Sequence, residues 1–150
     1  MTALNQDQEI TRDQWEIDGS GRMTDKQRRM LNAVCGCLAD QVVWHRNRLT
    51  KDDWRHMLSG TMLGWRMMPA IDRGQGAAGF IMLGGSSLSM SKTMAKDAIT
   101  CGLHIGDSPD EHGLKCRPVV WSDVIYRALG FDPKDFQSDS LPMEQRRTAA

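Results

Sequence analysis

The 150-residue chain carries no net charge, with Lys+Arg and Asp+Glu both at 19, so composition alone names no polyanionic partner. No stretch approaches the roughly 18 uncharged apolar residues of a membrane-spanning helix. The start, Met1 to Ile17, is polar and acidic. It lacks the apolar core of a signal peptide and the Arg-rich pattern of a transit peptide, so a cytoplasmic protein is expected. Four cysteines without an export signal point to reduced thiols or a metal rather than a disulfide framework. G-x-S-x-G, P-loop and H-E-x-x-H motifs are all missing, which removes the common hydrolase and nucleotide-binding signatures. Gly74-x-Gly76 and Gly84-Gly85 lack the strand-to-helix setting that makes a glycine loop bind phosphate. There is no internal repeat and no low-complexity tract.

The patterning present is that of one α+β domain, mostly helical, with a short hairpin or small sheet. Residues 1–21 read as a flexible acidic arm that Trp15 and Ile17 can pin to the body. Residues 22–136 form the domain, and 137–150 a polar, disordered tail. Thr24 followed by Gln27 is a capping-box start, and Met30, Val34, Leu38 and Val42 then recur on one helix face. Gly36 within that helix suggests close packing against another element. Thr50 with Asp53 opens a second helix, with Trp54, Met57, Leu58 and Thr61 facing inward until Gly64. Phe80 to Leu83 makes a strand, paired in a hairpin with one near 67–71. Ser89 or Ser91 caps a third helix through Cys101, with Met94, Ala98 and Ile99 inside. Residues 102–118 read as loop, and Ser122-Asp123 opens a last helix closed by Gly130. The eleven methionines are expected mostly to fill the core.

Charge is unevenly placed. Residues 1–21 hold one basic and five acidic residues, whereas 22–55 hold eight basic and four acidic. Arg22, Lys26, Arg28 and Arg29 gather at the first helix start. Trp44-His45-Arg46-Asn47-Arg48 sets an aromatic beside two guanidinium groups, followed by Lys51 and Arg55. Cations neutralise phosphates and an exposed aromatic stacks on an unpaired base, a combination suited to single-stranded nucleic acid. A buried Trp44 that only anchors the fold is the alternative.

Two further groupings carry chemistry. Cys101-x2-His104 followed by His112-x3-Cys116 has the donor types and spacing of a closed, structural zinc site. The same residues also fit a helix end, two loop histidines and a packed thiol. His45 and His56, with Asp53 between them, can be read as a metal-dependent nuclease centre. Cys35-x-Cys37 lies about 200 degrees around a helix, so the pair cannot chelate one ion and reads as packing.

The string Arg22-Met-Thr-Asp25-Lys-Gln-Arg28-Arg29-Met-Leu, then Gln41-Val-Val-Trp44-His45 and the later Trp54, resembles the NinB (Orf) family of phage recombination proteins. The likeness continues through Gly79-Phe80-Ile81-Met82-Leu83-Gly84, Ser86 to Lys92, Glu111 to Leu114 and Trp121-Ser122-Asp123. The resemblance implies a homodimeric recombination mediator in the bacterial host cytoplasm. It binds single-stranded DNA beside the host single-strand-binding protein and recombinase. On matching motif positions, Arg22, Lys26, Arg28 and Lys92 would contact phosphates, His45 would lie beside them, and Trp44 would pack or stack. A zinc-stabilised module acting on a host factor is the remaining alternative.

Overall fold

The computed structural model describes residues 9–72, 74, 79–84 and 89–132. Five α-helices lie among them: α1 (Arg12–Trp15), α2 (Asp25–Gln41), α3 (Lys51–Leu63), α4 (Lys92–Asp107) and α5 (Asp123–Ala128). A 3-10 turn, Pro109–His112, follows α4, and strands β1 (Trp65–Pro69) and β2 (Phe80–Gly84) stand between α3 and α4. The fold is thus α+β and mostly helical. The expected 137–150 tail lies outside the described residues.

The two long N-terminal helices start where their caps predict. Thr24 and Gln27 exchange side-chain-to-backbone hydrogen bonds, each 3.1 Å, and Thr50 and Asp53 do the same at 3.0 Å. These satisfy donors that a helix start leaves free. Helices α2, α3 and α4 pack pairwise around one core of Met30, Leu31, Val34, Leu38, Trp54, Leu58 and Ile99. Thr61 of α3 and Met94 of α4, both expected inside, are exposed, and Ala95 takes the inner place. A Cβ on Gly36 would meet nothing within 4 Å, so this glycine permits no close approach.

Helix α4 runs six residues past its expected end at Cys101 because the glycines read as loop residues are packing residues. A Cβ on Gly102 would press on Val34 and Leu58, and one on Gly106 would overlap the Trp121 ring. Each glycine weakens the helix by roughly 1 kcal/mol relative to Ala, a cost offset by the close approach.

The N-terminal arm is docked over its described part. Ile10 and Trp15 are buried in the core, and the Trp15 Nε1–H donates to the Ala128 carbonyl at 2.9 Å. Arg12 donates to the carbonyl of Leu129, so the arm closes against the far end of the chain. Beneath it lies Gln27, fully buried. Its Nε2 donates to the carbonyls of Trp15 at 3.0 Å and Lys92 at 2.9 Å, while its Oε1 serves the Thr24 cap. One amide therefore joins the arm, the start of α2 and the start of α4.

The hairpin has the opposite character. Its antiparallel register pairs Met67 with Met82 and Pro69 with Phe80, and every residue of both strands is exposed. Phe80 is 69% exposed and Met67 65%. Of the nine described methionines, Met30 and Met90 are buried and Met23, Met57 and Met62 pack against the core, so most serve the core as expected, while three of the four exposed ones sit on this hairpin.

Gln27→Leu keeps the volume but takes the amide from the buried Trp15 carbonyl, the part-buried Lys92 carbonyl and a cap donor. Each orphaned group costs about 1–3 kcal/mol, so a loss of about 2–5 kcal/mol is expected from urea unfolding midpoints. A loss under about 1 kcal/mol would mean that water replaces the amide.

Candidate nucleic-acid interface

Between α2 and α3 the chain reverses in a tight turn, Trp44-His45-Arg46-Asn47. Trp44 and Asn47 exchange two backbone hydrogen bonds of 2.8 Å, and the Asn47 side chain donates to the His45 carbonyl at 3.0 Å. Such a two-residue closure asks both central residues for positive φ, normally met by Asn-Gly. Here His45 (φ 45°) and Arg46 (φ 72°) take that conformation, at a cost of order 1–3 kcal/mol each. The turn is held from behind. The Trp44 ring stands edge-on to fully buried Trp54, centroids 5.5 Å apart, and to His45 at 4.6 Å. Trp44 is half-buried and its role is to anchor the turn, which leaves His45 as the exposed ring.

The turn forms one wall of a cleft of about 420 Å³. His45 and Arg46 face Lys115 and Cys116 across it, with Val43 and Leu114 as apolar sides, and among the described residues no acidic one lines it. Lys115 lies in the segment read as featureless loop. Its only sequence signal was a lysine beside Arg117, and the partner across the cleft is about 70 residues away in sequence.

The remaining basic residues serve mixed roles. Arg28 pairs with Asp25 at 2.8 Å and Arg55 with Asp52 at 2.6 Å. Arg48 donates to the Asp40 carbonyl near the end of α2, and the Lys26 Nζ to the Glu9 carbonyl at 2.7 Å. Lys92 lays its alkyl stem over Gly19, and the adjacent Ser91 bridges to Arg22 just after the arm. Arg22, Arg29 and Lys51 are exposed. Lys26, Lys92 and Arg22 thus stand by the docked arm, and Arg46 stands in the cleft.

The four proposed zinc ligands are not assembled. Because α4 continues to Asp107, His104 lies on the helix and meets His112 from the 3-10 turn, Nδ1 to Nε2 at 2.8 Å. The other His104 nitrogen faces Glu111 Oε2 at 2.8 Å. The two rings share one hydrogen bond, and both His104 nitrogens are engaged. Cys101 packs half-buried on the core, where burial pushes its thiol up, and Cys116 lines the cleft by Arg46. Among the described residues no group of three or more His, Cys, Asp or Glu side chains is placed to hold a metal ion. Cys35 is a packing residue, as read, and burial pushes its thiol up to about 12.

The nuclease set is also divided. Asp53 and His56 line a separate cleft of about 580 Å³ against Trp65, Met82 and Leu83, whereas His45 stands at the turn. Asp53 completes the capping box of α3 from the third helical position, with Thr50 as the cap. Hydrogen bonding from Thr50, backbone first, holds its carboxyl below the ordinary value.

A family model described as NinB protein matches residues 7–104. A solved structure described as NinB aligns at TM-score 0.49 and 23% identity, covering 85% of this chain and 85% of that one. A comparison with curated proteins gives no match.

The depressed Asp53 carboxyl stabilises the fold above its ordinary value of 3.8, and that contribution is lost as pH falls through the lower folded value. Asp53→Asn is therefore expected to unfold at lower urea than the parent near about pH 6, with the gap closing towards about pH 3.

Proposed function

The chain belongs to the NinB family of phage recombination proteins, and from that premise we propose that it is a non-enzymatic recombination mediator that binds single-stranded DNA. What carries the reading is the reach of the family match, 7–104, which takes in the whole basic segment and the 44–47 turn. Supporting it, the turn presents His45 and Arg46 to solvent at some conformational cost, and Arg22, Arg29 and Lys51 are exposed on flanking elements. Exposed cations bind phosphates without regard to sequence, and an exposed imidazole offers a face to an unpaired base. The resemblance adds the host single-strand-binding protein and recombinase as partners, in the host cytoplasm. No helix among the described residues is long and apolar enough to cross a membrane.

A homodimer belongs to the same reading. A lone two-stranded hairpin is marginally stable in water, and this one exposes Met67, Phe80 and Met82 on one face with Met68, Ile81 and Leu83 on the other. A second copy would cover the apolar face and satisfy free strand edges.

Binding of a labelled single strand, read by fluorescence anisotropy, should outcompete duplex and fall steeply between about 50 and 200 mM salt. No binding at low salt would end the DNA reading. For the dimer, light scattering of the doubly substituted Phe80→Asp, Met82→Asp chain should give half the parental mass with the helices intact. A monomeric parent would remove the dimer.

A further inference from the structure

The cleft between the 44–47 turn and the 113–116 loop has features that the basic segment alone does not explain. Its second wall, Gly113 to Cys116, lies beyond the end of the family match at 104. Its cations are unspent. Among the described residues neither Arg46 nor Lys115 has a side-chain hydrogen bond or an ion pair, while Arg28, Arg48, Arg55 and Lys26 all have one. The backbone N–H groups of Lys115 and Cys116 likewise have no hydrogen-bond partner among the described residues. The apolar sides, Val43 and Leu114, lower the local dielectric and strengthen any charge contact made there.

The backbone adds an independent observation. Arginine has no intrinsic preference for the left-handed conformation, and a glycine at 46 would close the same turn without the strain. An arginine held there, opposite an unpaired lysine, is a backbone outlier of the kind that clusters at ligand-binding sites.

Resting on the single-strand reading above, we propose that this cleft is a phosphodiester subsite. The Arg46 guanidinium donates to the non-bridging oxygens of one backbone phosphate, and the Lys115 ammonium closes on it from the opposite wall. Guanidinium suits the two-oxygen edge of a phosphate, and ammonium acts as a point charge beside it. His45, at the rim, lies where the adjoining base would stack. The strand thereby passes between the basic segment inside the family match and a loop beyond its end at 104.

The test uses the full chain and a labelled thymidine oligomer. Arg46→Gln and Lys115→Gln are compared with Arg127→Gln, which removes one charge from the exposed face of α5, outside the cleft. Each cleft variant should lower the slope of log affinity against log salt by about 1, and Arg127→Gln should leave it near the parental value. In parallel, Cys116 alkylation is followed by peptide mass spectrometry, with Cys37 as the internal reference. The oligomer should slow Cys116 and leave Cys37 unchanged, and both cleft variants should lose that protection. Equal protection by inorganic phosphate at matched phosphate concentration would assign the cleft to a free oxyanion and overturn the phosphodiester assignment. If the parent binds the strand while the cleft variants match Arg127→Gln and Cys116 reacts unhindered, the subsite is wrong and the single-strand reading stands. If the parent fails to bind the strand at low salt, both fall together.

Discussion

The buried amide of Gln27 sets the geometry on which the rest of the domain depends. A polar side chain with no access to water must have its donors and acceptors met by protein. At Gln27 those partners are the carbonyls of Trp15 and Lys92 and the N–H of Thr24. Satisfying them fixes the N-terminal arm and the start of α4 against the first turn of α2. The backbone pairing of residues 19–23 with 90–93 extends the same junction. The helices inherit their relative placement from it, and the apolar core of α2, α3 and α4 fills the space that results.

That junction also explains what was legible in the sequence. Local chemistry was readable: both capping boxes, the four-residue recurrence from Met30 to Val42, and the left-handed glycine at 130 all act within a few residues. The end of α4 was not readable, because Gly102 and Gly106 break helices by propensity and are retained for contacts with Val34 and Trp121, far off in sequence. The hairpin was visible as a short apolar run before Gly84-Gly85 but not as a surface, since exposure depends on what the body leaves uncovered. The site divides the same way. The basic segment and its Trp-His turn stand out in the sequence, but which cations are available depends on partners such as Glu9 and Asp40 that only the fold brings near. The histidine and cysteine spacing carried the opposite risk. It matched a zinc set in one dimension, and the helix then sent the thiols and imidazoles to different neighbours.

Charge neutrality is better understood residue by residue than as a total. Several acidic side chains are spent on helix starts and on ion pairs, such as Asp53 at the start of α3, Asp25 with Arg28 and Asp18 with Lys96. What remains unpaired at the 44–47 turn is positive. A chain with no net charge can therefore present a local field of one sign, with screening by salt limiting its reach to about 10 Å at moderate ionic strength. The exposed apolar hairpin contributes a second, uncharged surface, so contacts driven by charge and by burial are separated on the molecule.

The docking of the arm has a consequence for synthesis. Trp15 reaches its hydrogen-bond partner Ala128 across 113 positions. On a ribosome making about 5–20 residues per second, the first described segment to emerge must wait several seconds for the last to appear. Until then Ile10 and Trp15 have no core to enter, and the α2 cap lacks the arm above it. The arm is thus made well before it can be seated, which leaves its apolar anchors uncovered in a nascent chain and ties their burial to the arrival of α5.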